Sequence, residues 1–430
     1  MRRMKSILIS IAEGGVFAAL AVAQPTHYAV KDLGALPGAT FSQANAVSDI
    51  GFVAGLSTIN ASPTSPEHAV LWYPWGSITD IGKPGLGGLN SEAFDVNDFG
   101  QVIGQAELPT TDPNNENFCG FSTGLECRAF LWQGGVMSPL PLLKGGVNGL
   151  TTGNINNFGQ VPGTSENGIR DSACPAPQLF DFVPVIWGPA PGEIHSLLPL
   201  HGASLPPSVL KDTVGVVDWI NDNGEAVGFT GSCANSVVFP LVAGPHAMLW
   251  EPDGSATDLG NIGSATVNVP LSINNQSQVV GAAGLTDNST ATYEIDAFLW
   301  TRETGMRDLH TLPGDATSGA ISINDNGVIV GLSIDAAGNP RAFIWQNGAM
   351  TDLNTLVPAD SPLYLLVAEN INSSGEIAGF GVNSSGDVHG FLLTPDNGAF
   401  LPLELGAQKP TSLAKNTRQQ IARWMATHRR

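Results

Sequence analysis

The chain has 430 residues, a formal net charge of −20, 51 glycines and 30 prolines. Residues 24–408 carry 9 Lys and Arg against 37 Asp and Glu, giving 9 − 37 = −28, whereas residues 409–430 carry six basic residues and no acidic one. Such an acidic body argues against nucleic-acid binding, which needs a positive surface. The glycine and proline content favours a fold with many tight turns over a helical enzyme.

The first 23 residues predict a secretory signal peptide. Basic residues within positions 2–5 precede an apolar segment, interrupted by Glu13, that ends at Ala23 in a small-x-small cleavage pattern. We therefore expect a secreted, extracellular protein that starts at Gln24, with the periplasm or the cell surface as alternatives. An uncleaved anchor is the other interpretation of this segment. No other run approaches the ~18 apolar residues of a membrane span, so no stable span is expected after signal removal.

Three short pieces then recur in a fixed order along the chain. The first is a turn followed by a strand, seen seven times from Ala46–Gly55 (AVSDIGFVAG) to Asn370–Gly379 (NINSSGEIAG). A second piece, such as HAVLW or RAFIW, follows each copy, and a third, such as ITDIG or MTDL, follows most of them. β-Branched and aromatic residues bounded by Gly, Asn, Asp and Pro predict a short strand in each piece. The turns are spaced by (372 − 48)/6 = 54 residues on average, slightly above the spacing of propeller blades.

Each unit therefore predicts about four antiparallel strands. Both faces of the HAVLW strand are largely apolar, which indicates burial on both sides, as in a blade stacked between two others. We predict an all-β protein, a β-propeller of seven four-stranded blades over residues 24–408, with six or eight blades as alternatives. Two segments compete to close the ring: Tyr28–Gly34, which resembles the third piece, and Ala399–Leu405. Residues 409–430 predict a basic tail that is helical or disordered.

The phrase INDNGVIVG…RAFIW…MTDL resembles the HAF repeat of bacterial extracellular repeat proteins, whose units run roughly IN-x-x-G-x-VVG…HAFLW…M-x-DLG. The resemblance covers the chain from Tyr28 to about Leu405. It implies export and a propeller-like fold, and no particular biochemical activity. Three departures occur: Ser48 stands where other copies have Asn, Pro162 lies within the second strand of unit three, and the seventh unit lacks Trp.

Two residue types recur at fixed places in the repeat. The repeated asparagines are expected to cap their hairpin turns rather than to bind a ligand in the channel; they are Asn97, Asn156, Asn221, Asn274, Asn324 and Asn372. The repeated tryptophans end an apolar strand and are expected to pack in the core rather than to stack on sugars; they are Trp72, Trp132, Trp187, Trp250, Trp300 and Trp345. Trp75 and Trp219 fall outside this frame and are the candidates for exposed contacts.

No catalytic, cofactor or metal motif is found in the sequence. There is no G-x-S-x-G, H-E-x-x-H or P-loop, and the NDNG turns lack the full spacing of a calcium loop. One repeat position holds His in three units and Arg or Asp in three others, and a position that accepts both signs is not catalytic; its residues are His68, Arg128, His246, Asp296, Arg341 and His389. The repeated Asp of the third piece is interpreted as structural, at strand ends. We therefore assign no catalytic, cofactor or metal residues.

The four cysteines suit two disulfides in an exported protein. Cys119 and Cys127 lie in the insertion of unit two and would close a small loop. Cys174 and Cys233 lie in equivalent insertions of units three and four, which neighbouring blades would bring together.

The repeat predicts a binding or scaffolding module that contacts an unknown protein or glycan through its loop-rich face. The alternative is a carbohydrate-active enzyme, a glycoside hydrolase or lyase, with acids near the propeller channel. Such an enzyme needs a singular pair of carboxylates that breaks the repeat. Because no such pair stands out in the sequence, binding is the preferred interpretation.

Overall fold

The computed structural model describes residues 26–197, 212–238, 241–242, 244–264, 266–286, 294–396 and 406–407. They form a ring of seven four-stranded antiparallel blades, so the predicted all-β propeller of seven blades is confirmed and the alternatives of six or eight are wrong. The signal peptide, Ala399–Leu405 and the tail from 409 to 430 lie outside the described residues. Among the helices of the described part, none has the length and apolar character needed to cross a membrane.

The chain begins with one strand that belongs to the last blade and then builds three blades in succession. That strand is β1 (His27–Gly34). Within each blade the strands follow chain order from the innermost to the outermost. Blade 1 contains β2 (Ser42–Val47), β3 (Val53–Thr58), β4 (Glu67–Trp72) and β5 (Ile78–Asp80). Blade 2 contains β6 (Ser91–Val96), β7 (Val102–Thr111), β8 (Leu125–Gln133) and β9 (Val136–Pro139). Blade 3 contains β10 (Gly149–Leu150), β11 (Val161–Arg170), β12 (Phe180–Trp187) and β13 (Ile194–Ser196).

Four more blades complete the ring. Blade 4 contains β14 (Val214–Ile220) and β15 (Ala226–Gly231), an excursion through α1 (Cys233–Ser236), β16 (Val237–Val238) and β17 (Leu241–Val242), and then β18 (His246–Trp250) and β19 (Ala256–Asp258). Blade 5 contains β20 (Asn268–Ile273), β21 (Val279–Gly284), β22 (Ile295–Thr301) and β23 (Gly305–His310). Blade 6 contains β24 (Asp315–Ile323), β25 (Ile329–Asp335), β26 (Pro340–Gln346) and β27 (Ala349–Asp352), followed by a 3-10 turn, Leu353–Leu356. Blade 7 contains β28 (Leu363–Ile371), β29 (Ile377–Asn383), β30 (Val388–Asp396) and, outermost, β1.

The sequence of each unit shows why these strands form a hairpin. In blade 6 the Oδ1 atom of Asn324 accepts hydrogen bonds from the backbone N–H of Asn326 at 3.0 Å and of Val328 at 3.1 Å. Such side-chain bonds fix the turn between the first two strands. The glycine that ends the VIVG piece is required by close approach: a Cβ on Gly331 would lie 2.0 Å from the carbonyl oxygen of Gly319 in the innermost strand.

Apolar layers fill the spaces between consecutive blades. Between blades 1 and 2, for example, Leu71 packs with Val96 and Phe130. Four of the repeated tryptophans, Trp72, Trp187, Trp250 and Trp300, are buried, and the other two, Trp132 and Trp345, are half-buried against the same layers. The tryptophans therefore lie in the core, where burial of each contributes roughly 1.5–3 kcal/mol.

Strand β1 closes the ring. It pairs antiparallel with β30, from His27 opposite Asp396 to Gly34 opposite Gly390. Of the two segments that the sequence left open for closure, the N-terminal one pairs with the last blade. Blades 7 and 1 also contact each other through hydrogen bonds near the channel, such as the one from the backbone N–H of Val47 to Oδ1 of Asn370 at 3.2 Å.

The two expected disulfides are present. Cys119, in the loop between β7 and β8, pairs with Cys127 on β8. Cys174, in the loop between β11 and β12, pairs with Cys233 in α1, so this bond joins blades 3 and 4.

Candidate binding face

The antiparallel order of the strands gives the ring two different faces. The turn between the first and second strands and the turn between the third and fourth strands lie at the same end of each blade; we call this end the turn face. The loops between the second and third strands lie at the opposite end, the loop face, and include the disulfide-bearing segments 112–124 and 171–179.

The first residue of each turn builds a hydrogen-bonded ring on the turn face. Each repeated asparagine accepts bonds from its own turn, as predicted for a cap, and most also donate Nδ2 to the carbonyl oxygen of the same position in the next blade. These blade-to-blade bonds, which we call the asparagine ring, run from Asn156 to Asn221, Asn221 to Asn274, Asn274 to Asn324, Asn324 to Asn372 and Asn372 to Ser48, at 3.0–3.1 Å.

The second turn residues add another set of bonds along the same arc. The backbone N–H and Nδ2 of Asn157 donate to the two carboxylate oxygens of Asp222, each at 3.0 Å. Asn275 makes the same pair of bonds to Asp325, each at 2.9 Å. The turns of blades 3 to 7 are therefore cross-linked by polar side chains.

The asparagine ring is interrupted between blades 1 and 3. Ser48 has no amide to donate, and the Nδ2 atom of Asn97 bonds to Oε1 of Gln101 within its own turn at 2.7 Å. Across the seven turns, all of which the structure describes, no side-chain bond from either residue reaches the next turn. Two of the seven junctions thus lack the link that the other five possess.

The same three blades expose apolar side chains at the third turn position. Ile50, Phe99 and Phe158 have 56%, 71% and 64% of their surface exposed. In blades 4 to 7 this position is polar, and its residues are Asn223, Gln276, Asn326 and Ser374. The difference cannot come from the repeat itself, because the backbone position is equivalent in all seven blades.

An aromatic cluster enlarges this apolar surface. Trp75, in the β4–β5 turn, is 73% exposed and stacks on Tyr73, with ring centroids 4.6 Å apart and planes at 25°. Phe52 contacts both rings edge-on. The side chains of Ile50, Phe52, Tyr73, Trp75, Phe99 and Phe158 together are called the aromatic patch. Exposed apolar side chains gathered on one face of a soluble protein mark interaction sites.

The two tryptophans outside the repeat frame have different surroundings. Trp75 is exposed, whereas Trp219 is half-buried and packs against Val227, Leu249 and Ile273. Trp219 is therefore not an exposed contact. It follows a bulged residue, Asp218, and this shift in register directs its ring into the layer between blades 4 and 5.

The innermost strands carry acids that the sequence analysis missed. Burial raises the pKa of Asp95 to about 6, although the hydrogen bond from the backbone N–H of Ile155 acts to lower it. Burial likewise raises the pKa of Asp218 to about 7, and its Oδ1 accepts a hydrogen bond from Thr152 at 2.9 Å while Oδ2 has no partner among the described residues. No neighbouring charge contributes to the shift of Asp218. The signal that could have revealed these acids is their position in the bulged part of the inner strand.

The repeated His, Arg and Asp residues form ion pairs across the two outer strands of four blades. The distances are 2.9 Å for His68–Asp80, 2.9 Å for His246–Asp258, 3.0 Å for Arg341–Asp352 and 3.0 Å for His389–Asp32. These side chains contact each other rather than a shared cavity, so they hold the outer strand in place. In blade 2, Arg128 pairs instead with Glu126 on its own strand at 3.1 Å.

Two groups of side chains within the described residues have metal-ligating atoms close together. In the first, Asp171, Cys174 and Asp181, the cysteine is in a disulfide and offers no thiolate. The second, Asp296, Asp308 and His310, lies on the outer strands of blade 5, away from the aromatic patch.

The fold resembles several solved structures, all at low identity. They include virginiamycin B lyase from Staphylococcus aureus (11% identity, 85% of this chain and 99% of that chain, TM-score 0.46). Acylaminoacyl peptidase from Pyrococcus horikoshii is 10% identical over 90% of this chain and 55% of that chain, with a TM-score of 0.47. Oligogalacturonate lyase from Vibrio parahaemolyticus is 8% identical over 86% and 94%, with a TM-score of 0.46. No family model and no curated protein matches the sequence. At these values no activity is transferred, and the propeller assignment rests on the strand pairing itself.

Proposed function

We propose that this protein is an exported HAF-repeat propeller that binds a protein partner through the aromatic patch on its turn face. One observation carries the proposal: the third turn position is apolar and exposed in three consecutive blades and polar in the other four. Trp, Tyr and Phe are the residues that concentrate binding energy at protein interfaces. The sequence led us to expect partner contacts on the loop face. We now propose the turn face instead, since the exposed aromatic residues lie there.

The chemistry of the patch favours an apolar partner surface with a basic rim. Ile50, Phe99 and Phe158 have no polar group with which to orient a sugar, so they suit apolar side chains. Asp49 and Asp98, the second turn residues of blades 1 and 2, lie beside them, and the body of the protein carries a large negative charge. A second copy of this chain would set acidic rim against acidic rim, which opposes self-association through the patch.

The two disulfides support a location outside the cytosol. Disulfides persist in oxidising compartments and are rare where thiols are kept reduced. The bond between Cys174 and Cys233 joins two blades and therefore belongs to the folded architecture.

The proposal can be tested with displayed peptides and a matched pair of double variants. The purified protein is exposed to peptide libraries of equal apolar content, one rich in Lys and Arg and the other rich in Asp and Glu. We expect the basic library to yield binders, and Phe99→Ser/Phe158→Ser to weaken the affinity of a selected peptide at least tenfold, as expected on losing about 1.4 kcal/mol or more. Gln276→Ser/Asn326→Ser, at the same turn positions of blades 5 and 6, should leave the affinity unchanged.

The other outcomes count against the proposal. Binders from the acidic library alone, or equal losses in both double variants, would show that the patch and its acidic rim do not select the partner. A glycan array provides the competing readout: sugar binding that depends on Trp75, without peptide binding, would make the protein a lectin. Thermal unfolding of each variant confirms that the propeller is intact.

A further inference from the structure

At one position of the repeat, a basic side chain on the third strand pairs with an acidic side chain on the fourth strand. Blade 5 departs from this pattern. In four blades a His or Arg on the third strand faces the repeated Asp on the fourth. In blade 5 the third strand carries Asp296 instead, and this acid faces the repeated acid Asp308. Burial and the neighbouring Asp308 raise the pKa of Asp296 to about 6. Blade 5 therefore has no basic residue on the third strand opposite the repeated Asp.

A histidine appears beside this pair of acids at a place that glycine occupies elsewhere. His310 follows Asp308 by two residues, as Gly34 follows Asp32 and Gly260 follows Asp258. All three share a left-handed backbone, with φ of 61°, 65° and 80°. This conformation is unfavourable for a residue with a Cβ. Blade 5 thus accepts a strained backbone that places an imidazole next to two carboxylates.

The three side chains are close and partly open to solvent. One ligand atom from each of Asp296, Asp308 and His310 lies within 4.8 Å of the others. The imidazole is 79% exposed, and its Nδ1 lies 2.8 Å from Oδ2 of Asp308. Asp296 is only 6% exposed, and its carboxylate accepts no hydrogen bond from any residue in the described part of the chain. A buried carboxylate without a hydrogen-bond donor is costly unless a cation compensates it.

We propose that Asp296, Asp308 and His310 bind one divalent transition-metal ion at the outer edge of blade 5. Imidazole nitrogen with two carboxylate oxygens is a ligand set for Zn²⁺ or Mn²⁺, whereas Ca²⁺ prefers oxygen ligands alone. Three protein ligands leave at least one coordination position for water or an external oxygen ligand. This site is independent of the aromatic patch, which lies on blades 1 to 3.

The repeat itself supplies variants that should fold. Asp296→Arg restores the residue type found in blades 2 and 6, as Arg128 and Arg341, and His310→Gly restores the residue found after Asp32 and Asp258. Each variant removes one ligand and replaces a deviation with the ordinary repeat residue. Asp258→Asn, in blade 4, removes the corresponding acid from an ordinary His–Asp pair and is the matched control.

Calorimetric titration of the metal-free protein with Zn²⁺, Mn²⁺ and Ca²⁺ tests the proposal. We expect one equivalent of Zn²⁺ or Mn²⁺ to bind, at least tenfold more tightly than Ca²⁺. Asp296→Arg and His310→Gly should each lose at least tenfold in affinity without a loss of thermal stability, and Asp258→Asn should bind as the unaltered protein does. A raised melting temperature with Zn²⁺ or Mn²⁺, absent in Asp296→Arg, is the second readout.

Three results would overturn the assignment. The first is failure of both transition metals to bind. The second is tighter binding of Ca²⁺ than of either. The third is equal binding in the unaltered protein and in both ligand variants, which would place the ion elsewhere.

Discussion

The side chain of Asn324 makes two kinds of hydrogen bond at once. Its Oδ1 holds the turn of blade 6, and its Nδ2 donates to the carbonyl oxygen of Asn372 in blade 7 at 3.0 Å. Asn97 also caps its turn, but its Nδ2 bonds to Gln101 in the same turn and makes no bond to the next blade. The two asparagines therefore allow a residue that links two blades to be compared with one whose bonds stay within one turn.

We expect Asn324→Ala to destabilise the protein by about 2 kcal/mol, since it removes a turn cap and the hydrogen bond to the carbonyl oxygen of Asn372. Asn97→Ala should cost less, because it removes the cap and the bond to Gln101 within one turn but no bond to another blade. The midpoint of denaturant unfolding measures both. Equal losses would show that the asparagine ring adds nothing between blades.

Ser48→Asn should have the opposite effect. Asn at this position can cap its own turn and donate to the carbonyl oxygen of Asn97, which extends the asparagine ring by one junction. We expect a gain of about 0.5–1 kcal/mol, the usual net value of one hydrogen bond. Ser48→Asp is the control that separates ring extension from a better cap, because Asp can cap the turn but has no amide to donate. An unchanged unfolding midpoint in Ser48→Asn, or an equal gain in Ser48→Asp, would contradict the expectation.

The sequence predicted the cap at each asparagine but not the bond to the next blade. A cap depends on residues two and four positions away in the chain, which are visible in the sequence. The blade-to-blade bond joins residues about fifty positions apart, such as Asn274 and Asn324, and needs the geometry of the ring. His310 gives no signal in the sequence for a related reason: the third piece is defined by its Asp and Leu, and the residue that follows them differs from blade to blade.

At the scale of elements, a buried pair of acids lies between the loops of blades 2 and 3. Glu166, on β11, accepts hydrogen bonds from the backbone N–H groups of Val147 and Asn148, and Glu116 accepts one from Leu179 at 2.6 Å. Burial, and then the neighbouring Glu116, raise the pKa of Glu166 well above its ordinary value. The folded protein therefore retains a proton that the unfolded chain has already released at neutral pH.

The sign of the pH dependence follows from this proton. Because the folded state binds more protons than the unfolded state above the ordinary carboxyl range, stability falls as the pH rises towards the raised pKa. We expect Glu166→Gln to lose less stability than the unaltered protein between about pH 5 and about pH 9. Denaturant unfolding at several pH values tests this, with exposed Glu193→Gln as control. Parallel curves for the unaltered protein and Glu166→Gln would contradict it.

Strand β1 is held by a titrating ion pair as well as by its backbone bonds. The hydrogen bond to Asp32 raises the pKa of His389. Burial acts to raise the pKa of Asp32, but the bonds from His389 and from the backbone N–H of Gly34 lower it below its ordinary value. The histidine stabilises the strand below its unfolded pKa and loses this effect as the pH rises through the raised value; the aspartate loses its effect as the pH falls through the lowered one.

We therefore expect β1 to be held more firmly at about pH 5.5 than at about pH 8. Hydrogen exchange, corrected for intrinsic rates, should show several-fold greater protection of the β1 amides at the lower pH. His389→Gln should abolish this difference. His246→Gln, which removes the equivalent pair in blade 4, should preserve it. A difference that survives in His389→Gln would assign the effect to another group.

At the scale of the whole molecule, the two disulfides constrain very different lengths of chain. Cys119 and Cys127 are 8 residues apart, whereas Cys174 and Cys233 are 59 residues apart and lie in different blades. A cross-link that closes a longer loop removes more entropy from the unfolded chain. The second bond also ties neighbouring blades together, which the first does not.

We expect Cys174→Ala/Cys233→Ala to lower the free energy of unfolding by about 3–4 kcal/mol and Cys119→Ala/Cys127→Ala by about 2–3 kcal/mol. Thermal and denaturant unfolding of the two double variants measure the order. The reverse order would show that loop length does not govern the contribution of these bonds.

The overall architecture could be predicted because it is repeated. Seven copies of one phrase specify the strands, their order and their apolar faces, and the extra strand Tyr28–Gly34 specifies one way to close the ring. The aromatic patch could not be predicted in the same way. Ile50, Phe99 and Phe158 stand in turns, where a single apolar residue is unremarkable in sequence. Only the ring places them on one face of adjacent blades.

The closure by β1 has a consequence for the order of events during synthesis. Asp32 leaves the ribosome 357 residues before its partner His389. At about 5–20 residues per second, that interval lasts on the order of 20–70 s. The first strand made is therefore among the last to find its place, and six blades can form while β1 still has an unpaired edge.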